Sequence, residues 1–161
     1  MNNSEIFKVT TPSDRTIVMT RTFDGPRKLL FDALTSPELL KRWLSGPPGW
    51  SLVECEVDLK VGGSYRYVWQ GPNGAEIGMR GVYRDILPPE RIVQTESFDQ
   101  SWYPGEAVGT VVLAESGGKT TLTTTMLYES TEIRDSVLKT PMEQGVAASY
   151  DKLAQLFPPL P

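Results

Sequence analysis

Tyr65, Tyr67 and Trp69 recur at every second position, Met79 and Tyr83 follow in the next apolar stretch, and Met126 and Tyr128 repeat the spacing later. A spacing of two puts side chains on one face of a strand. Such a face can line a cavity for a small, largely apolar ligand, with the phenols supplying a few polar contacts. Each of these residues, taken singly, is equally at home in an ordinary core, where Met fills gaps. As a set they ask for more, because buried Tyr hydroxyls need partners, and three or four on one sheet face point to a site holding water or ligand. Trp43, Trp50, Trp102 and Tyr103 fall in or near loops. They read either as the rim or gate of that cavity, made by a second helix and the loop over 99–107, or as caps on the ends of the core.

The remaining reactive groups carry simpler readings. Glu54, Glu56 and Asp58 alternate with Val53, Cys55 and Val57, which describes a solvated strand face better than a catalytic acid cluster. Arg66, Arg80 and Arg84 fall opposite the aromatics and are expected to pair across the sheet with those acids. Cys55 reads as a small buried hydrophobe. Gly62-Gly63 precedes a strand and is a tight turn or bulge, since a phosphate loop follows a strand and opens a helix. The chain of 161 residues has no His and one Cys, which excludes His-based triads, His-ligated metals, an internal disulfide and Cys-built clusters. No cofactor is expected. A net charge of −4 speaks against nucleic acid as a partner. No apolar stretch approaches the roughly 20 residues that span a bilayer, and the first residues lack a signal-peptide core, so a cytoplasmic location is the expectation.

The elements that must position these groups can be read from local signals. Residues 1–14 read as a loose N-terminal tail, and 15–161 as a single domain. A strand over Arg15–Phe23 leads to Asp24-Gly25-Pro26, where Pro starts a helix carrying Leu29, Leu30, Ala33 and Leu34. A second short helix starts at Ser36-Pro37-Glu38 and stops at Gly46-Pro47-Pro48-Gly49. Strands follow over 52–59, 64–70, 77–87, 91–98, 109–115 and 119–129, with a hairpin at Gly71-Pro72-Asn73-Gly74. Ser130–Leu138 is expected to form a short helical turn. Thr140-Pro141-Met142-Glu143 has the form of a capping box, and Met142, Val146, Tyr150, Leu153 and Phe157 run down one stripe of a final helix. Gly145 inside that helix suggests close approach to the sheet. Strands followed by a segregated helix define an α+β protein: a curved antiparallel sheet of about six or seven strands gripping a long C-terminal helix, with two short helices after the first strand.

Several runs resemble the activator-of-heat-shock-chaperone-ATPase homologue family: Trp43-Leu44, Asp58-Leu59-Lys60-Val61-Gly62-Gly63-Ser64-Tyr65-Arg66-Tyr67, Gly81-Val82-Tyr83 and Pro88-Pro89-Glu90-Arg91-Ile92-Val93. Gly118-Lys119-Thr120-Thr121-Leu122, Met142-Glu143-Gln144-Gly145 and Ser149-Tyr150-Asp151-Lys152-Leu153 extend the resemblance over roughly Arg15 to Phe157. It implies the START-like, helix-grip (SRPBCC) superfamily, whose members include lipid and steroid carriers, ligand-holding plant allergens and polyketide cyclases. The namesake cochaperone acts through an extra N-terminal domain for which this chain has no room. The expectation is therefore non-catalytic binding of a small lipophilic molecule between sheet and last helix. The lining is expected to comprise Trp43, Tyr65, Tyr67, Trp69, Met79, Tyr83, Phe98, Trp102, Met126, Tyr128, Met142, Val146 and Tyr150. A cochaperone-like or regulatory protein-interaction domain, with a protein partner, is the second reading, and a cyclase-type enzyme the third.

Overall fold

The computed structural model describes residues 7–100 and 105–157. Strands β1 (Lys8–Thr10) and β2 (Thr16–Phe23) precede helices α1 (Arg27–Thr35) and α2 (Pro37–Trp43). Strands β3 (Ser51–Val57), β4 (Ser64–Gln70), β5 (Glu76–Leu87), β6 (Arg91–Phe98), β7 (Ala107–Ser116) and β8 (Lys119–Leu127) follow, then helices α3 (Thr131–Leu138) and α4 (Met142–Ala154). The strands form one antiparallel sheet of eight, ordered β1-β2-β8-β7-β6-β5-β4-β3. The class is α+β, consistent with the helix-grip arrangement. The sheet exceeds the expected six or seven strands because Lys8–Thr10, in the stretch read as a tail, pairs with β2 from Lys8↔Thr20 to Thr10↔Val18. Three residues are too few to show a strand period.

Alternation explains most of the sheet. In β2 every second residue from Ile17 to Phe23 is buried. In β8 Thr120, Leu122 and Met126 face inward. Strand β3 departs from it. The register between β3 and β4 shifts between Leu52 and Glu54, so Val53 is an extra residue and is 47% exposed instead of buried. Such a bulge locally breaks the period-two rule. Leu59, the last residue of the stretch read as a strand over 52–59, lies 41% exposed beyond the strand end at Val57.

Helix α4 packs on the sheet through Tyr150 and Leu153, both buried, and its continuation places Phe157 against Phe23. The expected capping box is not formed. Pro141 occupies the cap position with no side-chain hydrogen bond, and the Thr140 hydroxyl donates to the Val137 carbonyl at 2.6 Å. Helix α3 ends only two residues earlier, so Thr140 serves its C-terminus. Ser130 caps α3 instead, accepting from the Ile133 N–H at 3.2 Å. A Cβ on Gly145 would lie 3.9 Å from Pro47, in the loop after α2, and no described sheet residue comes as near, so this glycine makes no close approach to the sheet.

Arg21 points inward from β2 and is 7% exposed. Its Nη1 donates to Asp151 of α4 at 2.8 Å, its guanidinium lies 5.1 Å from the Phe23 ring centre, and its Nε has no hydrogen-bond partner. The pair is lopsided, because Asp151 is 72% exposed. Asp151→Ala leaves a buried cation short of an acceptor and should cost about 1–3 kcal/mol. Arg21→Met returns Asp151 to water and fills the site with apolar atoms, so it should be neutral or stabilising. Urea unfolding of the two variants checks this, and an equal loss from both would contradict it.

Candidate ligand cavity

Between the concave face of the sheet and α2, α3 and α4 lies a cavity of about 360 Å³. That volume falls at the lower end of small-molecule sites. Strand β4 contributes Tyr67 and Trp69, β5 Met79, and β6 Phe98. Met126 of β8 and Tyr128 just beyond it continue the floor, while Trp43 of α2 and Met142, Val146 and Tyr150 of α4 form the roof. Ten of the thirteen residues expected in the lining therefore meet there.

Two of the others do not. Tyr65 and Tyr83 are outside the lining, packed on each other at 5.4 Å between ring centres and almost wholly buried. The Tyr65 hydroxyl donates to the Thr95 carbonyl, so it is a core group with a backbone partner. A Cβ on Gly81 would come within 2.6 Å of the Tyr65 ring, so the absent side chain makes room for it. Trp102, with Tyr103, lies outside the described residues. Trp50 packs its ring over Gly71, where a Cβ would meet it, and is outside the lining.

Two tryptophans are fixed by backbone carbonyls. Pro37 has no N–H to offer the Ala33 carbonyl four residues before it, and the indole N–H of Trp43 donates there at 2.8 Å. The break between α1 and α2 thus creates the acceptor that orients Trp43. Trp69 likewise donates to the Leu44 carbonyl at 2.8 Å. Tyr150 shares a 3.4 Å hydrogen bond with Thr124.

The sequence reading missed the polar part of the lining. Gln94 and Glu96 on β6 share a face with Ile92 and Phe98, and all four line the cavity. Two polar residues between two apolar ones look like a solvated face. The signal that could have found them is the phase set by Ile92 and Phe98. Ser136, Val137 and Thr140, from α3 and the turn after it, also reach the cavity.

Burial dominates the protonation of the phenols. It pushes the Tyr67, Tyr65, Tyr128 and Tyr150 hydroxyls above their ordinary range and Tyr83 up to about 12. The Glu96 carboxylate adds to the rise at Tyr65 and Tyr128. Burial also takes the Cys55 thiol up to about 11, as suits a group that is not a nucleophile. On the outer face, the arginines do not pair with Glu54, Glu56 and Asp58. Arg66 donates to Asp99 at 2.7 Å, Arg80 lies 3.7 Å from the same carboxylate, and Arg84 donates to Glu106 at 2.9 Å. Hydrogen bonding to Arg66 holds the Asp99 carboxyl below its usual range. Both acids lie beyond the strand ends, where strand alternation gives no sign of them.

Among the described residues no group of three or more His, Cys, Asp and Glu could hold a metal ion, and no helix is long and apolar enough to cross a membrane. An open antiparallel sheet, a helix across it and an aromatic cavity between them define a START-like protein. The chain belongs to the Activator of Hsp90 ATPase homolog 1-like protein family, whose model matches residues 24–158. Among solved structures, a Rhodobacter sphaeroides protein is 31% identical, with 93% of this chain and 96% of that one covered and a TM-score of 0.87. A Chromobacterium violaceum protein is 28% identical with a TM-score of 0.76, covering 90% of this chain and 99% of that one. A Staphylococcus epidermidis protein is 25% identical with a TM-score of 0.79, covering 92% of each. None of the curated proteins compared with the chain matches it.

Proposed function

We propose that this protein binds a small, largely apolar molecule, without transforming it, in the cavity between sheet and α4. The observation that carries the reading is the cavity itself: about 360 Å³ of space lined by Trp43, Tyr67, Trp69, Met79, Met126 and Tyr150. A collapsed core would fill such space, since interiors are otherwise packed like organic crystals. The lining phenols are kept protonated by burial, which suits them to donate hydrogen bonds to a guest.

A thermal-shift screen against fatty acids, sterols, flavonoids, polyketide-like aromatics and apolar amines tests the proposal. A ligand at a hundred times its dissociation constant adds about 2.7 kcal/mol. For a domain of this size that raises Tm by roughly 5–10 °C. Tyr67→Ala and Met126→Ala should weaken binding by more than their effect on folding explains. A flat screen with every class overturns the reading and makes the aromatics core alone.

A further inference from the structure

Resting on that reading, we propose that the ligand is an apolar amine whose ammonium head meets Glu96. Glu96 is the one charged side chain among the described residues of the lining. None of the 16 Lys and Arg residues of the chain lines the cavity. The site therefore has a single sign of charge, and it is negative.

The surroundings of Glu96 favour a cationic head. Its cross-strand neighbour on β7 is Ala107, which is completely buried and covers little of the sheet face. Phe98, two residues along the same strand face, and the Tyr128 and Tyr67 rings join Glu96 in the lining. Aromatic faces attract an ammonium through their quadrupoles, more strongly where water is excluded. Glu96 and Tyr128 both line the cavity, and the Glu96 charge adds to the rise at the Tyr128 hydroxyl. A guest carboxylate in the same position would set like charges together. Trp43, Leu40, Leu44 and Trp69, contributed by α2 and β4, offer an apolar region for the body of the guest.

Three probes of one shape and different heads test the assignment: 2-(1-naphthyl)ethylamine, 2-(1-naphthyl)ethanol and 1-naphthylacetic acid. Calorimetry on the wild-type chain at neutral pH should rank them amine, alcohol, acid, with the amine at least tenfold tighter than the alcohol. Glu96→Gln, nearly equal in volume, should erase the amine's advantage while leaving the alcohol within about threefold. The wild-type ranking needs no variant and holds its meaning even where the substitution harms folding. An acid that binds as tightly as the amine, an amine no tighter than the alcohol, or an amine preference that survives Glu96→Gln overturns the amine assignment while the cavity remains a binding site. Binding by none of the three, together with a flat thermal-shift screen, overturns the cavity reading itself.

Discussion

Titrated with alkali, the protein should unfold in one cooperative step within about two pH units above pH 10, and five buried phenols should ionise in the same step. Tyr65, Tyr67, Tyr83, Tyr128 and Tyr150 are all buried, and burial raises each above the ordinary value of 10.0. In the unfolded chain they lose their protons near that value. Above it the unfolded state binds fewer protons than the native state, so stability is intact below pH 10 and falls as the pH rises. The loss continues towards pH 12, where Tyr83 ionises in the native protein as well. Each such group removes about 1.4 kcal/mol per pH unit, so five remove on the order of 7 kcal/mol per unit. A domain holds only about 5–15 kcal/mol in all. Near-ultraviolet phenolate absorbance and far-ultraviolet circular dichroism should therefore change together. Gradual phenolate formation close to pH 10 with the dichroism unchanged would show the hydroxyls to be reachable by solvent in the native state.

Trp43→Ala should cost about 3–5 kcal/mol, the usual price of removing a large buried aromatic side chain. The ring is 3% exposed, stands 6.2 Å from Tyr150 between ring centres and forms part of the cavity roof. The corresponding fall in Tm is on the order of 6–20 °C for a domain of this size. Trp43→Phe separates two contributions. It keeps most of the ring but leaves the Ala33 carbonyl without its donor, since Pro37 cannot supply one. An orphaned buried acceptor costs about 1–3 kcal/mol, and the phenylalanine variant should fall in that range. Equal stability of Trp43→Phe and wild type would show that the Ala33 carbonyl finds water instead.

What the sequence made legible follows from which rules act locally. Period-two spacing correctly placed Tyr67, Trp69, Met126 and Tyr128 on the concave face, and the Pro37 signal correctly opened α2. The same spacing could not separate Tyr67, which lines the cavity, from Tyr65, which does not, because both lie on one face and the period says nothing of how far along the strand the cavity runs. Val53 was misplaced because one extra residue inverts a strand's faces and leaves no mark in composition. Glu96 and Gln94 were overlooked because polar residues in a strand resemble a solvated face until their neighbours' orientation is known. Arg21 stands in phase with Ile17 and Met19 along the chain. Its acceptor, Asp151, lies 130 residues away, a distance no local rule bridges. The capping box failed for a similar reason: Thr140 had two helices to serve, and the earlier one won.

The bulge at Val53 has a consequence for how copies of this protein meet. An unclosed sheet presents two outer strands whose free backbone groups could template a neighbour. One of these, β1, is only three residues long. The other, β3, carries the irregular Val53 with Glu54 and Glu56 exposed beside it. A second copy docking strand to strand would find its ladder out of step and carboxylates facing carboxylates. An open sheet with edges of this kind is guarded against joining edge to edge, and crowded solutions should leave its sheets unjoined.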